Sequence, residues 1–435
     1  MGCTDGRETQ GKGLCLTANP AGVCCALGLF QPCAELPGRH KAIFFRSLVV
    51  MRKAVLIYYD ARMLGHEPSG WDTNHPEWSD AVKAMIAHQY PEASLETYAY
   101  PERPERLTAI VERLHAEPVD GQGWRSPVQA THAQLQRVHT VEHLAYIESL
   151  VGGSGWLAQD TTAVSPESVV AARLAAGAGI SAIEAIASGD DRHAFCIVRP
   201  PGHHASTDHA RGFCLYNNIA VAAMHAREVL GYRRVMIWDW DMHHGNGTQE
   251  IFYDQPDVLV VDSHCEAPFY PGTGTLAETG TGAGLGYHLN VPYPRGSGNA
   301  TLLDVFDLVV RPAARAFRPE LILVSAGFDC HYLDQTCTMD DTGFAALTQH
   351  MCALAHEVCD DRLVMMLEGG YNAQALSDSA HATLRALAGH MVDGINVLPA
   401  DEGRAAVAEA ARFHADSIAA LRRRSEGSDT VGDSL

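Results

Sequence analysis

This sequence has few basic residues, no pair of cysteines with the spacing of a metal site, and no long apolar segment. Lysine and arginine number 32 against 52 aspartates and glutamates, which gives a formal charge of -20. A phosphate-binding surface needs the opposite sign, so we expect no direct contact with nucleic acid, whereas a cationic substrate is compatible with this charge. No apolar run approaches the ~20 residues of a membrane span, so no membrane partner is predicted.

None of the 12 cysteines forms a Cys-x-x-Cys pair, which excludes the cysteine zinc cages and redox dithiols that use this spacing. Five lie in the first 33 residues, and seven are spread from Cys196 to Cys359. The later seven sit in apolar surroundings, which is typical of small core residues in a reducing compartment. We therefore predict a cytoplasmic protein.

The composition and the hydrophobic pattern along the chain predict three segments. Residues 1–50 are rich in glycine, cysteine and proline without a steady period, which indicates a poorly ordered N-terminal extension. Residues 51–395 alternate between strand-type and helix-type stretches and are expected to form one domain. Residues 396–435 predict a C-terminal amphipathic helix, with a loose tail from Ser425 onward.

The sequence of residues 51–395 predicts an α/β fold with a single, mostly parallel sheet and helices on both faces. Strands that are apolar throughout are typical of a parallel sheet covered on both sides. The strand-type runs are at 54–58, 195–198, 235–238, 258–261, 321–325 and 363–367. The helical stretches are at 166–188, 218–230, 301–317, 343–359 and 374–388.

Titratable side chains follow five of these strands. Ligands of open α/β sheets bind at the carboxyl ends of the strands, so we expect these side chains to meet at one edge. In chain order they are His203 and His204, then Asp239, Asp241 and His243, then Asp262 and His264, then Asp329, then Glu368 and Tyr371.

Asp241, His243 and Asp329 are the candidate metal ligands. The i, i+2 spacing of Asp241 and His243 points both side chains to the same side of the chain, and Asp329 comes from another strand end. Two carboxylates and one imidazole leave a fourth position open, which is the arrangement of a catalytic zinc. An Asp-x-His pair alone also fits a buried ion pair; the conjunction with the other strand ends favours the metal.

His203, His204 and Tyr371 are the candidate catalytic groups. Two adjacent histidines after a Pro-Pro-Gly turn favour acid–base chemistry over a filler role. Tyr371 follows two glycines, which allow a sharp bend and present the phenol to a pocket, where it can donate to a developing oxyanion.

These motifs together resemble the zinc-dependent histone deacetylase family, which includes acetylpolyamine amidohydrolases and bacterial deacetylase-like amidohydrolases. The resemblance runs from about Tyr58 to about Ala388, and the Asp-Trp-Asp and Asn246 variants are similar to class II members. The motifs that carry it are Pro-Glu-Arg-Pro-Glu-Arg-Leu from Pro101, Pro-Gly-His-His-Ala from Pro201, Gly-Phe-Cys from Gly212, Asp-Trp-Asp-Met-His-His-Gly-Asn-Gly-Thr-Gln from Asp239, Tyr-Pro-Gly-Thr-Gly from Tyr270, Ser-Ala-Gly-Phe-Asp from Ser325 and Glu-Gly-Gly-Tyr from Glu368.

The resemblance implies an arginase/deacetylase-like fold and hydrolysis of N-acetyl amides of lysine side chains or polyamine-like amines to acetate and a free amine. His204 would take a proton from the attacking water and return it to the leaving amine, beside His203 as an electrostatic partner. The other implied roles are one zinc per chain on Asp241, His243 and Asp329, orientation of His203 by Asp239 and of His204 by Asn246, oxyanion binding by Tyr371, and a substrate channel of Gly212, Phe213 and Tyr270.

Three departures from the family pattern are visible. Asp262 replaces the usual Ser or Thr beside a structural potassium site, so potassium is left open as a second ion. Thr336 stands where many relatives carry a bulky residue at the pocket rim. Residues 67–100 form an insert that we expect to cap the rim, and by analogy with acetylpolyamine amidohydrolases a homodimer is an expected partner; a loose surface loop is the alternative.

Two other functions remain open at this point. One is an arginase-like hydrolase with two manganese ions, which shares the sheet architecture but needs more bridging carboxylates. The other is a catalytically silent module that binds acetyl-lysine; loss of a metal ligand or of Tyr371 would favour it, and both are present.

Overall fold

The computed structural model describes residues 54–68, 100–157, 162–334, 336–392, 394–397 and 401–432. The expected N-terminal extension at 1–50 lies outside the described residues, as does nearly all of the expected rim insert at 67–100.

Ten strands and eleven α-helices are found in the described residues. The strands are β1 (Val55–Tyr58), β2 (Gln122–Arg125), β3 (Gly155–Trp156), β4 (Ala163–Val164), β5 (His193–Cys196), β6 (Val235–Asp239), β7 (Val258–Cys265), β8 (His288–Tyr293), β9 (Leu321–Ala326) and β10 (Leu363–Leu367). The helices are α1 (Glu105–Ala116), α2 (His132–Leu135), α3 (Val141–Ser149), α4 (Ser168–Ser188), α5 (Asn218–Glu228), α6 (Asn246–Phe252), α7 (Asn299–Val305), α8 (Arg311–Phe317), α9 (Asp341–Cys359), α10 (Ala373–Leu387) and α11 (Gly403–Gly432).

The main sheet has eight strands in the order β2-β1-β5-β10-β9-β6-β7-β8. All of its neighbouring strands are parallel, so the predicted fold class is confirmed. Its inner strands β5, β6, β9 and β10 are buried at every position, which is why they appear in the sequence as continuous apolar runs. Strands β3 and β4 form a separate antiparallel pair.

The two edge strands β2 and β8 were not expected from the sequence. The four residues of β2 are Gln-Gly-Trp-Arg and are only partly buried, so this strand has no apolar run. The β8 sequence His-Leu-Asn-Val-Pro-Tyr interrupts its apolar residues with polar ones and a proline. Apolar continuity therefore identifies the strands inside this sheet and misses those at its edges.

The predicted helices are present with small shifts at their ends. The stretch predicted as one helix from residue 301 to 317 is divided by a π-helical turn, Phe306–Val310, that separates α7 from α8. Polar side chains cap the helices that lead away from the strand ends: Asn217 begins α5, Asp340 begins α9 and Asn372 begins α10.

One helix among the described residues, α4, is long and apolar enough to cross a membrane. In its most apolar window 72% of the residues are buried inside the protein, as in the core helix of a globular domain.

The C-terminal helix is longer than predicted. It packs against β8, α7 and α8, and it continues to Gly432 rather than ending before Ser425. Ser425 is buried, and its hydroxyl donates to Ala316 O at 2.8 Å, so it does not belong to a loose tail. Phe413, on the same helix, is half exposed.

The strand order places the expected functional groups together. Strands β5, β10, β9, β6 and β7 are consecutive neighbours, and these are the five strands that titratable side chains follow in the sequence. All five end at the same edge because they are parallel, so loops that are far apart in the chain converge there.

Candidate active site

Asp241, His243 and Asp329 form a buried cluster at this edge. The His243 Nδ1 atom lies 3.0 Å from Asp241 Oδ1 and 2.9 Å from Asp329 Oδ2. One ligand atom from each residue lies within 4.8 Å of the other two. The structure thus brings together the three side chains that the sequence predicted as metal ligands.

Main-chain groups hold the two carboxylates of this cluster. Asp241 accepts from His243 N at 2.8 Å and from Gly369 N at 2.8 Å, and Asp329 accepts from Met242 N at 3.1 Å. Two glycines permit the close approach: a Cβ on Gly327 would lie 2.1 Å from Asp241 Oδ2, and one on Gly369 would lie 2.3 Å from Asp329 Oδ2. The absence of a side chain at Gly327 and Gly369 therefore leaves space for the carboxylates of Asp241 and Asp329.

The electrostatics of the cluster fit a bound cation. Burial raises the pKa of Asp329, and the charge of Asp241 raises it further. Burial alone would lower the pKa of His243, but the carboxylates of Asp329 and Asp241 raise it to about 9. Zinc bonds of about 2.0–2.2 Å place ligand atoms roughly 3.3 Å apart around a tetrahedral ion, close to the spacing seen here. Two carboxylates and an imidazole are also the donor types that zinc accepts.

His203 and His204 lie side by side next to this cluster, with ring centroids 4.0 Å apart. His203 Nδ1 is 2.9 Å from Asp239 Oδ2, and His204 Nδ1 is 2.8 Å from the side-chain carboxamide of Asn246. The Glu368 carboxylate accepts from His203 N at 3.1 Å, which fixes the turn that carries the pair. Both predicted orienting contacts are present in the structure.

The two histidines have opposite electrostatic surroundings. Burial disfavours the charged form of both, but the carboxylates of Asp239 and Asp241 raise the pKa of His203 well above its usual value. Burial and the adjacent His203 lower the pKa of His204 well below its usual value. His203 is therefore favoured as a cation and His204 as a neutral imidazole.

Tyr371 lies on a turn that the side chains of Asp334 and Arg106 hold. Tyr371 N donates to Asp334 Oδ2 at 2.5 Å. Arg106 donates through Nε to Gly370 O at 2.6 Å and through Nη2 to Glu368 O, and its guanidinium carbon lies 5.0 Å from the centre of the Tyr371 ring. Sequence reasoning assigned no role to Arg106 or Asp334. The signal for Arg106 was the Pro-Glu-Arg-Pro-Glu-Arg-Leu motif, which was noticed only as a resemblance.

Aromatic rings surround the space in front of this cluster. The Phe213 ring is 5.9 Å from that of Tyr371, and the Tyr270 ring is 5.0 Å from that of His204. Gly212, with φ of +57°, packs against His204 so closely that a Cβ would lie 2.3 Å from the imidazole Cδ2. Tyr100, which sequence reasoning missed, extends the wall, with its ring 5.2 Å from Phe213.

A second cluster of possible ligands lies beside the first. His244, Asp262 and His264 are buried and each offers a ligand atom within 4.8 Å of the others. Asp262 is already engaged, because Oδ1 lies 2.6 Å from His264 Nδ1 and Oδ2 accepts from Gly245 N at 2.9 Å.

Comparison with known proteins assigns this arrangement to a family. The histone deacetylase domain matches residues 100–387 of the chain. A protein named "Probable deacetylase" from Archaeoglobus fulgidus is 36% identical over 329 residues, which are 73% of this chain and 90% of that protein. The chain belongs to the histone deacetylase family.

Two further members of the family match this chain over different shares of their own length. The human "Polyamine deacetylase HDAC10" is 38% identical over 304 residues, which are 66% of this chain and 44% of that protein. The crystal structure of the HDA15 HD domain superposes with a TM-score of 0.71 at 34% identity, and covers 86% of this chain and 99% of that one. The chain spans about half the length of several other curated relatives. Family membership confirms the resemblance predicted from the motifs of the chain.

Proposed function

We propose that this protein is a zinc-dependent amidohydrolase that removes the acetyl group from N-acetyl amides of lysine side chains or of polyamine-like amines. The observation that carries the proposal is the position of His203 and His204 beside the buried Asp241–His243–Asp329 cluster, with Tyr371 on the turn whose Gly369 amide donates to Asp241. These residues supply what acyl-amide hydrolysis needs: a Lewis-acid site, proton-transfer groups and an oxyanion donor.

Asp241, His243 and Asp329 would hold one zinc ion. When bound, zinc lowers the pKa of a water molecule towards about 7 and polarises an amide carbonyl. The main-chain donors from His243, Met242 and Gly369 keep both carboxylates oriented towards the site. Such outer contacts typically change metal affinity by about 10- to 100-fold when they are removed.

The two adjacent histidines have different proposed roles, charge stabilisation for His203 and proton transfer for His204. His203, paired with Asp239, carries positive charge and stabilises anionic charge that develops on the substrate. His204, kept neutral by burial, moves the proton between the attacking water and the leaving amine. The leaving amine is a poor leaving group unless it is protonated, so this transfer is needed for the C–N bond to break.

Tyr371 donates a hydrogen bond to the carbonyl oxygen as it becomes negatively charged. Arg106 and Asp334 hold its turn, so the phenol is positioned before the substrate binds. The rings of Phe213 and Tyr270 exclude water and admit a slender aliphatic stem, as acetyl-lysine and acetylpolyamines both have.

Asp262 is not proposed as a potassium ligand. Its two carboxylate oxygens are occupied by His264 and by Gly245 N. Both contacts direct the carboxylate at donors of the protein, and both are strong because the acceptor is charged.

The direct test is turnover of an acetyl-lysine peptide, N-acetylputrescine and N-acetylspermidine by the purified protein, before and after zinc chelation. We expect acetate release from at least one substrate, loss on chelation and recovery with zinc. Tight binding of the peptide without acetate release would support a silent binding module instead. Activity that depends on two manganese ions per chain would support the arginase-like alternative.

A further inference from the structure

Phe213, which forms one wall of the proposed channel, has an unusual main-chain conformation. Its φ is +70°, and Gly212 before it has φ of +57°. Arg211 and Cys214 pair across these two residues, and each main-chain nitrogen donates to the other residue's oxygen, at 3.1 and 3.0 Å. Two left-handed residues inside such a pair are typical of a type I′ turn. Glycine adopts this conformation freely, whereas phenylalanine adopts it only at an energetic cost.

A buried hydroxyl group holds the main chain of Phe213 in this conformation. Phe213 N donates to Thr162 Oγ1 at 3.0 Å, although the two residues are 51 positions apart in the chain. Thr162 is fully buried, and its own main-chain oxygen accepts from Leu157 N at 2.9 Å between β3 and β4. The acceptor of the Phe213 amide therefore comes from a separate element rather than from the turn itself.

The same segment also supports an aromatic neighbour of Phe213. Ala163 follows Thr162, and its main-chain nitrogen donates to the Tyr100 hydroxyl at 3.3 Å. The Tyr100 ring meets the Phe213 ring edge-on, with centroids 5.2 Å apart. Residues 162 and 163 thus contact both the main chain of Phe213 and a side chain that packs on its ring.

We infer that Thr162 is a positioning residue that determines which acetylated stems the channel admits. Its hydroxyl keeps Phe213 in the left-handed conformation, and this conformation directs the ring to the channel. The hydrogen bond and the cost of a left-handed phenylalanine are of similar size, so loss of the hydroxyl lets the turn relax and the ring leave the wall. The inference rests on the proposed function, in which Phe213 and Tyr270 restrict entry to slender stems.

A relaxed Phe213 should change substrate binding rather than the chemical step. Tyr371 keeps its position, because Arg106 and Asp334 hold its turn through contacts that do not involve Phe213. A wider channel surrounds a slender stem less closely and no longer rejects a branched one. Removal of the Thr162 hydroxyl should therefore raise KM and weaken selection against branching, with little change in kcat.

The first test is amide hydrogen exchange of Phe213 in the full-length protein, which needs no substrate. We expect the wild-type amide to be protected, and we expect Thr162→Val, which keeps the shape of the side chain, to raise its exchange rate roughly tenfold. Thr162→Ser keeps the hydroxyl and should restore most of the protection. A wild-type amide that exchanges at the rate of an unprotected peptide would overturn the inference, even if Thr162→Val failed to fold.

The second test is steady-state kinetics with the best acetylated substrate and with the same compound carrying a methyl branch on the stem carbon next to the amide nitrogen. We expect Thr162→Val to raise KM for the unbranched compound roughly fivefold, with kcat changed less than about twofold. The preference for the unbranched compound in kcat/KM should fall by roughly the same factor. Thr162→Ser should keep the wild-type preference.

The matched control is Thr348→Val, which removes another buried threonine hydroxyl. In the wild type this hydroxyl donates to Phe344 O at 2.8 Å within α9. The control should leave KM for both compounds within about twofold of the wild-type values. Unchanged selection and unchanged Phe213 exchange in Thr162→Val would refute the positioning role of Thr162.

These two tests separate the inference from the proposed function. If the wild-type protein hydrolyses no acetylated amine, the proposed function fails, while hydrogen exchange still decides whether Thr162 holds Phe213. If the protein is active but Thr162→Val selects between the two compounds as the wild type does, the proposed function stands and the role of Thr162 fails.

Discussion

The three proposed metal ligands depend on one another through single atoms. His243 Nδ1 contacts both carboxylates, and Asp241 Oδ1 also accepts from His243 N, so removal of one charge unbalances the other two residues. An uncompensated buried charge typically costs 3–5 kcal/mol. The charge balance of the proposed metal site therefore depends on each of these three side chains.

Asp329→Asn should abolish zinc retention, because it removes one anionic ligand while keeping the shape of the side chain. Zinc per chain after gel filtration is the measurement. Asp304→Asn is the matched control: it makes the same change at a surface ion pair with Arg404 and should retain zinc. Full zinc content in Asp329→Asn would remove that residue from the site.

Tyr371→Phe should keep zinc and lose turnover, because the phenol is proposed to act only on the oxyanion. Loss of one oxyanion donor typically lowers kcat by about 10²–10³-fold. The control is Tyr332→Phe, a change at a largely exposed tyrosine that should leave kcat unaltered. A Tyr371→Phe enzyme with wild-type kcat would mean that another group binds the oxyanion.

Individual residues could be predicted where their partners are close in sequence. Asp241 and His243 are two positions apart at one strand end, so their convergence followed from local geometry. Arg106 contacts a carbonyl 264 residues away, and Asp334 contacts an amide 37 residues away. No local pattern encodes such contacts, so these two positioning side chains became visible only in the fold.

The turn between β10 and α10 is the element that presents Tyr371. Gly370 has φ of +115°, which favours glycine, and the two main-chain amides that follow it donate to the same oxygen of Asp334 at 2.5 and 2.7 Å. Burial and the nearby charge of Asp329 raise the pKa of Asp334 to about 7. The turn is thus held by an acceptor on the loop after β9.

Asp334→Ala should therefore loosen this turn. We expect a loss of roughly 2 kcal/mol in the free energy of unfolding, because two partly buried N–H donors lose their acceptor. We also expect a lower kcat with zinc content unchanged. Asp334→Asn keeps an acceptor oxygen and should lie between Asp334→Ala and the wild type in chemical denaturation and in kcat. Equal stability of all three proteins would contradict this role.

His288, on strand β8, provides a test of how the free energy of unfolding depends on pH. Burial lowers the pKa of His288 to about 3, whereas the unfolded chain has the ordinary value of about 6.5. Between these values the unfolded state binds a proton that the folded state does not, so stability present above pH 6.5 is lost as pH falls. From pH 7.5 to 5.5 His288 should lower the free energy of unfolding by about 1.4 kcal/mol.

His288→Phe should lack this contribution. The loss of stability between the two pH values should be smaller than in the wild type by that amount, as measured by denaturant unfolding at each pH. Identical losses in the two proteins would show that His288 gains its proton in the folded state.

Elements were predictable where the chain is uniformly apolar. The inner strands are buried at every position and α4 is buried over most of its length, and their sequences show it directly. The edge strands β2 and β8 and the length of α11 depend on pairing and packing with distant segments. Their own residues give only a weak periodic signal, which is why they were missed or cut short.

The whole molecule works by bringing distant loops to one edge of a parallel sheet. The groups at or just beyond the carboxyl ends of β5, β6, β7, β9 and β10 span residues 203 to 371. Parallel strand direction was predictable from apolar runs separated by helices, and with it the convergence of the site. Strand order was not, because no local pattern states which strands are neighbours. A cytoplasmic location and a homodimer stay predictions from the sequence.

The most direct test of the central claim is a zinc titration of metal-stripped protein, followed by acetate release from the best acetylated amine. The account predicts no turnover without metal and a linear rise that saturates at one zinc per chain. Turnover by the metal-free protein equal to that of the zinc-loaded protein, or activity that requires a second metal ion per chain, would contradict it.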